Sequence, residues 1–287
     1  MRPRSLLLAV PVVLVLLAAS VPALRAAKPA VKPKAVTLPP AEEGAKAALE
    51  QSPRHGEYVD IPYPGHPPLR TWVVYPERRD KAGVVLVVHE IFGLSDWIRA
   101  VADRLAGDGF IAVAPDLLSG LGPGGGGTDS VASRDDVVKL VRQLTPEESA
   151  ARLAAVRAWA ATVPSANGKL ATLGFCWGGG KSFACAATAP PPQAAVVFYG
   201  VPPDSAQLLQ VRAPVLGHYG GDDARISSTV ESTRATLAGL HRSYEPHVYA
   251  GAGHGFLRQQ DSRDGANLKA AQAAWPRTLE FLRQHLR

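Results

Sequence analysis

Apolar and polar residues follow one another along most of this chain in patterns typical of strands and helices. A polar and apolar pattern over residues 69–75 predicts a strand, and the continuous, mostly β-branched run 84–88 predicts a strand buried on both faces of a parallel sheet. A helix capped by Ser95 or Asp96 and a strand at 110–114 follow. Because a helix joins two strands at this spacing, the pattern indicates a crossover unit in a mainly parallel sheet.

Similar patterns continue to the C-terminus. Thr145, Pro146 and Glu148 predict a helix start, with an N-cap residue, a proline in the first turn and a glutamate three residues after the cap. The remaining predicted elements are a strand from Leu170, strands at 194–199, 214–219 and 247–250, a helix at 228–240, and a C-terminal helix at 267–286 that Pro276 interrupts or starts. The order of elements predicts an α/β fold, with helices on both faces of a central sheet.

Segment 117–144 breaks this alternation of strands and helices. It contains four consecutive glycines, Gly124 to Gly127, followed by a polar stretch from Asp129 to Leu144. Glycine permits backbone conformations that other residues avoid, so such a patch is flexible. We interpret the segment either as a lid or as a loose surface insertion.

The composition of the chain is that of a globular protein, and its excess charge is confined to one end. With 287 residues, 46% hydrophobic and 20% charged, the chain is long enough for one large domain. The net charge is +6, but residues 1–40 contain six Lys or Arg and no Asp or Glu, and the remaining 25 basic and 25 acidic residues cancel. A neutral body behind a basic leader argues against a nucleic-acid partner, which requires a basic patch on the folded domain.

The first 27 residues have the layout of a secretory signal peptide. Arg2 and Arg4 precede an apolar run from Leu6 to Ala19, and small residues surround Ala23. We therefore predict an exported protein, periplasmic or extracellular, with residues 28–54 as a Pro- and Lys-rich linker and N-terminal extension and 55–287 as the domain. The apolar run is close to the length of a short membrane span, so an uncleaved membrane anchor is the alternative.

The chain has two cysteines, Cys176 and Cys185. They lie nine residues apart along one predicted helix, a rise of roughly 13 Å, which exceeds the distance that a disulfide spans. A free thiol in an exported protein needs a reason, and catalysis supplies one for Cys176. Cys185 lies in the apolar run 183–186 and is predicted to be a core residue.

The segment around Cys176 predicts a nucleophile elbow. An apolar strand from Leu170 leads into Gly174, Cys176 and Gly178, the pattern G-x-S-x-G with cysteine in place of serine. The glycines remove side chains that would clash where the backbone reverses. The amide of Trp177 then lies at a helix N-terminus, where an oxyanion would form. The alternative is a glycine-rich turn that holds a buried cysteine.

Candidate catalytic residues follow the ends of several predicted strands. Ligand sites of α/β sheets lie at the carboxyl ends of the strands, and these positions are Glu90, Cys176, Asp222 with Asp223, and His254. Nucleophile, acid and histidine occur here in the chain order of α/β-hydrolases. Each residue alone has a structural explanation, such as turn formation by the aspartates, but together they predict a hydrolase site.

Four segments resemble the dienelactone hydrolase family of α/β-hydrolases, over roughly residues 55–286. They are His89-Glu90-Ile91-Phe92-Gly93, Gly174-Phe175-Cys176-Trp177-Gly178-Gly179, His218-Tyr219-Gly220-Gly221-Asp222-Asp223 and Gly253-His254-Gly255-Phe256. The resemblance implies Cys176 as nucleophile, His254 as its base and Asp223 as the residue that orients the imidazole.

The same resemblance assigns further roles. It implies that Glu90 is a partner of the thiol, that the Ile91 amide lies in the oxyanion hole, and that Arg258 binds a substrate carboxylate or pairs with Glu90. Tyr199, at the end of a predicted strand, is a further substrate-binding candidate. The family prototype has serine where this chain has Gly255, and a second carboxylate-binding arginine has only Arg134 as a candidate.

The predicted activity is hydrolysis of ester or lactone bonds through a Cys-His-Asp triad, of the carboxymethylenebutenolidase type. The substrate is a small molecule, and the resemblance favours a monomer. No cofactor or metal is expected, because the chain has no H-E-x-x-H motif and its cysteines are wrongly spaced for zinc. Two alternatives are a broad extracytoplasmic carboxylesterase and a noncatalytic module that binds acidic ligands.

Overall fold

The computed structural model describes residues 36–287, which form one compact unit around a single sheet. Within these residues the strands are β1 (Gly56–Ile61), β2 (Leu69–Val74), β3 (Ala82–Val88), β4 (Ile111–Pro115), β5 (Ala166–Phe175), β6 (Ala194–Phe198), β7 (Val215–Gly220) and β8 (Tyr244–Tyr249). Their order in the sheet is β1-β2-β4-β3-β5-β6-β7-β8. The strands from β4 to β8 pair in parallel, whereas β1 and β2 are antiparallel to their neighbours.

Helices cover both faces of this sheet. They are α1 (Ala45–Glu50), α2 (Asp96–Gly107), α3 (Arg134–Gln143), α4 (Pro146–Ala160), α5 (Trp177–Cys185), α6 (Ser205–Leu208), α7 (Ala224–Ser227), α8 (Val230–Gly239) and α9 (Ala266–Leu286). Because side chains alternate between the faces of a strand, Val85 and Val87 of β3 pack with α2 and α9, and Leu86 packs with α3 and α4. The predicted α/β fold with a mainly parallel sheet is confirmed.

Several boundaries differ from the prediction. Strand β1 was not predicted, because it is a half-exposed edge strand without a clear apolar alternation. The predicted helix at 228–240 corresponds to α8, which begins at Val230 and ends at Gly239, and the short helix α7 before it was not predicted. Helix α9 continues through Pro276. Proline has no N–H to donate to the carbonyl of Gln272, but Gln272 lies on the exposed side of the helix, where water can replace the lost partner.

Segment 117–144 is anchored to the domain and is not a loose insertion. The carboxylate of Asp116 accepts hydrogen bonds from the amide and the hydroxyl group of Thr128, at 2.6 and 2.7 Å. The same Thr128 hydroxyl oxygen accepts a hydrogen bond from the amide of Leu94 at 3.1 Å. The polar end of the segment forms helix α3, capped by the side chain of Ser133.

Part of the linker and N-terminal extension predicted at 28–54 lies within the described residues and packs on the domain. From Val36 onward the chain packs on the domain: Trp97 Nε1 donates a hydrogen bond to the carbonyl of Pro40 at 3.0 Å, and Gln260 Nε2 donates to that of Pro39 at 2.9 Å. The buried side chains of Trp97 and Gln260 therefore hold the proline-rich segment, whose composition alone predicts an extended tether. The leader predicted at 1–27 lies outside the described residues, and no helix within 36–287 combines the length and apolarity needed to span a bilayer.

Candidate active site

Cys176 lies at the apex of a sharp turn between β5 and α5. Its backbone has φ 53° and ψ −116°, a region that residues with a side chain rarely occupy. The surrounding structure holds this conformation, in part through a hydrogen bond of 3.0 Å from the amide of Cys176 to the carbonyl of Phe198. The turn leaves the thiol partly exposed at the carboxyl edge of the sheet.

Two glycines make this turn sterically possible. A Cβ atom on Gly174 would overlap the carbonyl of Gly178, and one on Gly178 would overlap the carbonyl oxygens of Val88 and His89. These neighbours are backbone atoms and cannot rotate away. The G-x-C-x-G spacing is therefore required by the packing of α5 against β3 and β5, as the elbow interpretation predicted.

His254 and Asp223 come together from two neighbouring strand ends. His254 follows β8, Asp223 follows β7, and His254 Nδ1 lies 2.6 Å from Asp223 Oδ2. The Asp223 side chain is 8% exposed, so the carboxylate is shielded from water and can hold the imidazole. The adjacent Asp222 points away and pairs with the exposed Arg263 at 2.8 Å. The structure thus distinguishes the two aspartates that the sequence presents as a pair.

His89 organises the segment that carries the predicted oxyanion amide. Because a main-chain N–H can only donate, His89 Nε2 accepts from the amide of Leu117 at 3.2 Å, and its Nδ1–H donates to the carbonyl of Glu90 at 2.7 Å. Burial lowers the pKa of His89, which keeps the ring neutral. The ring also stacks on the indole of Trp177, with centroids 5.5 Å apart. One buried imidazole therefore connects the backbone after β3 with the backbone after β4 and packs against the elbow residue Trp177, a role that was not predicted from the sequence.

Glu90 and Arg258 form a buried ion pair next to the thiol. Arg258 Nε lies 2.8 Å from Glu90 Oε2, although the contact is outside hydrogen-bond geometry. The pairing of Arg258 with Glu90 that the resemblance implies is present. Arg134, the candidate for a second carboxylate-binding arginine, lies over the ring of Phe92, with its guanidinium carbon 3.6 Å from the ring centroid.

Glu42 joins the two arginines. Its carboxylate pairs with the guanidinium of Arg258 and lies 2.9 Å from that of Arg134. Sequence analysis missed Glu42 because it lies in the segment predicted as a linker. A signal was present in the acidic pair Glu42-Glu43 directly after the prolines, since these are the first acidic residues of the chain.

Burial controls the protonation of the site. Desolvation raises the pKa of Glu90 to about 7, against the lowering effect of Arg258. Burial, together with the nearby Glu90 carboxylate, raises the pKa of the Cys176 thiol to about 11. At neutral pH the resting thiol is therefore protonated, and a base is needed to make it a nucleophile.

Tyr199 is a buried residue that packs against His254. Its backbone has φ 42°, its side chain is fully buried, and its ring meets the His254 imidazole edge to face, with centroids 5.1 Å apart. The hydroxyl group lies beside Glu90 without a hydrogen bond of good geometry, and burial raises the pKa of Tyr199 well above its ordinary value.

Of the remaining candidates, Cys185 falls outside the cluster, whereas Ile91 and Trp177 directly follow its members Glu90 and Cys176. Cys185 is a buried core residue that packs with α3 and α4, as predicted, and it forms no disulfide with Cys176. Ile91 and Trp177 are both partly buried against the same core cluster, on either side of the elbow. Within residues 36–287 no group of three or more His, Cys, Asp or Glu side chains is arranged to hold a metal ion.

A family model and named proteins from other organisms match this chain in sequence. A sequence model of the Dienelactone hydrolase family matches residues 69–286. The chain belongs to this family. A carboxymethylenebutenolidase of Pseudomonas putida is 31% identical over 204 residues, which cover 70% of this chain and 85% of its own. A Salmonella typhimurium relative, provisionally given the same name, is 33% identical over 270 residues, 90% of this chain and 94% of its own.

A solved structure agrees with this assignment. A Klebsiella pneumoniae protein, provisionally named a dienelactone hydrolase, superposes with a TM-score of 0.69 at 31% identity, over 80% of this chain and 99% of that one. The dienelactone hydrolase family and its named members are hydrolases of ester or lactone bonds, and this chain is one of them. Its substrate is a small molecule.

Proposed function

We propose that this dienelactone hydrolase family member cleaves esters or lactones through a Cys176-His254-Asp223 triad. One observation carries the proposal: the strained elbow presents Cys176 at the same sheet edge where His254 is held by the shielded Asp223 at 2.6 Å. A thiol at an elbow, an imidazole and a buried carboxylate are the three components of a nucleophile–base–orienter system.

The first half of the reaction forms a thioester. His254 Nε2 takes the proton of the Cys176 thiol while sulfur attacks the carbonyl carbon, and Asp223 accepts the hydrogen bond from Nδ1–H of the imidazolium. The resulting oxyanion lies between the main-chain amides of Ile91 and Trp177. Collapse of this intermediate breaks the C–O bond, and His254 returns the proton to the leaving oxygen.

The second half regenerates the thiol. His254 takes a proton from water, whose oxygen attacks the thioester carbonyl. The C–S bond then breaks to release the acid, and His254 returns the proton to the departing sulfur of Cys176. Glu90 acts as a partner of the thiol: as a carboxylate near the sulfur it disfavours a free thiolate, so the nucleophile forms only when a proton acceptor and an electrophile are in place.

Alkylation of Cys176 tests this proposal. Because the thiol pKa is raised to about 11, the thiolate is scarce at neutral pH and grows as pH rises. We therefore expect the rate of iodoacetamide labelling to increase about tenfold per unit between pH 7 and 9. Hydrolysis of an activated aryl ester should decline in step with labelling of Cys176, followed by peptide mass spectrometry. Undiminished hydrolysis with Cys176 fully labelled would overturn the proposal.

The same assay separates the alternatives. A broad carboxylesterase would hydrolyse neutral esters and carboxylate-bearing lactones without preference, whereas a noncatalytic module would bind acidic ligands and hydrolyse none of a wide ester and lactone panel. The strained elbow at Cys176 and the Asp223–His254 pair favour an enzyme over a binding module, since binding alone requires neither.

We also propose that the protein is exported and monomeric, on the basis of the leader layout of residues 1–27 and the family resemblance. Cleavage near Ala23 should release a shortened chain outside the cytoplasm. Light scattering of this mature protein should give the mass of a monomer. Recovery of intact residues 1–27 in the membrane fraction would instead support an N-terminal anchor.

A further inference from the structure

The N-terminal segment brings a carboxylate into the arginine cluster beside the nucleophile. Glu42 is fixed there twice: its side chain pairs with Arg258 and Arg134, and its amide donates a hydrogen bond of 2.9 Å to the carbonyl of Arg258. Hydrogen bonds to the carbonyls of Pro39 and Pro40 hold the preceding residues. The position of this carboxylate is therefore set by the fold of the segment.

The charges of the cluster cancel when Glu42 is present. At a pH above the Glu90 pKa of about 7, Arg258 and Arg134 carry two positive charges, and Glu42 and ionised Glu90 carry two negative ones. An arriving substrate carboxylate would meet a neutral cluster whose guanidinium groups already have acidic partners. Without Glu42, the same cluster would have one net positive charge and a free guanidinium edge, the arrangement that binds carboxylates.

We propose that Glu42 determines substrate specificity by occupying the carboxylate position of this site. The unaltered enzyme then favours uncharged lactones or esters over those that carry a carboxylate near the scissile bond. This inference rests on the proposed function, because it concerns substrates of the Cys176 site.

The occupied position is accessible to a ligand. The Glu42 side chain is 33% exposed, and it borders an open cavity of about 310 Å³ that Phe92, Thr128 and Arg134 also line. The ring of Phe92 lies against both guanidinium groups. A small carboxylate that entered this cavity beside the ring would reach Arg134, which lines it, if the Glu42 charge were absent.

The substitution Glu42→Gln tests the inference. It keeps the size of the side chain and removes one negative charge. Kinetics would be measured on a carboxymethylenebutenolide and on the same lactone with its carboxylate methylated, following ring opening by absorbance. We expect the ratio of kcat/KM for the acid to that for the methyl ester to rise about tenfold, the factor equivalent to about 1.4 kcal/mol. Continued turnover of the methyl ester reports that the variant is folded.

Glu43→Gln is the matched control. Glu43 is adjacent to Glu42 and exposed, and it has no ion pair among the described residues. The substitution removes the same charge, so the ratio of kcat/KM for the acid to that for the methyl ester should stay within about twofold of the unaltered enzyme. A ratio unchanged in Glu42→Gln, with both lactones hydrolysed, would overturn the inference and leave the proposed function standing. Failure of the unaltered enzyme to open either lactone would overturn the proposed function, and this inference with it.

A second measurement does not depend on turnover. Benzoate carries a carboxylate on a small apolar ring, and we expect calorimetric titration to give about tenfold tighter binding to the Glu42→Gln variant than to the unaltered enzyme or to Glu43→Gln. Equal affinities in all three proteins would contradict the occupancy of the anion position by Glu42.

Discussion

Replacing Cys176 with alanine is expected to lower kcat/KM for an activated aryl ester by at least about 10⁴-fold, because removal of a nucleophile that acts with its base abolishes the covalent route. The substitution leaves the elbow geometry intact, since alanine and cysteine experience the same strain at φ 53°. Steady-state kinetics and a mass-spectrometric search for an acyl-enzyme would measure both the loss and its cause.

Cys185→Ala provides the control for this experiment. Cys185 is 5% exposed in the core and belongs to no part of the active-site cluster, so its truncation should reduce the free energy of unfolding by about 1 kcal/mol and leave kcat/KM within about twofold. Retained hydrolysis in Cys176→Ala, or an equal loss in both variants, would contradict the assignment of Cys176 as nucleophile.

Asp223→Asn is expected to lower kcat by about 10³- to 10⁴-fold. The Asp223 carboxylate accepts from His254 Nδ1–H at 2.6 Å, which leaves Nε2 free to receive the thiol proton. An asparagine amide can present a donor to Nδ1, which selects the wrong tautomer and does not stabilise the imidazolium. The effect should appear in the rate of thioester formation, measured by rapid mixing with a chromogenic ester.

Asp222→Asn is matched to it in position, size and charge. Asp222 makes an exposed ion pair with Arg263, with both side chains nearly half exposed, and exposed pairs contribute at most about 1 kcal/mol to the free energy of unfolding. We expect its kcat to change by less than about threefold. Comparable losses in the two variants would show that the turn between β7 and α7 matters as a whole and would contradict an orienting role for Asp223.

Most of the sheet was predictable because its signals are local. The run 84–88 lies in β3 between helices on both faces, so every position is apolar and the pattern is unmistakable. Strand β1 gave no comparable signal, because an edge strand with one solvated face needs few apolar residues. The elbow was predictable because its pattern, a glycine two residues before and two residues after a cysteine, is local, although the backbone that requires Gly178 belongs to Val88 and His89 at the end of β3.

The candidate site was predictable in its members and only partly in its arrangement. Strand ends identified Cys176, His254 and the aspartate pair, and the family resemblance chose Asp223 from the pair. In the structure Asp223, and not Asp222, contacts the imidazole. Arg258 was expected to face a substrate carboxylate or Glu90, and it faces Glu90 together with Glu42. The role of His89 depends on Leu117, 28 positions along the chain, which no local pattern reveals.

The sequence by itself determined the alternation of strands and helices, the elbow at Cys176 and the order of nucleophile, acid and histidine, because each depends on residue types, local spacings and order along the chain. The tertiary structure alone decided which carboxylates meet which cations. Glu42 and Arg258 are 216 positions apart, and the pairing arises because buried partners hold Pro39 and Pro40 against the domain. A proline-rich composition is equally typical of a free tether. Only the contacts with α2 and with the loop after β8 show that this segment is bound to the domain.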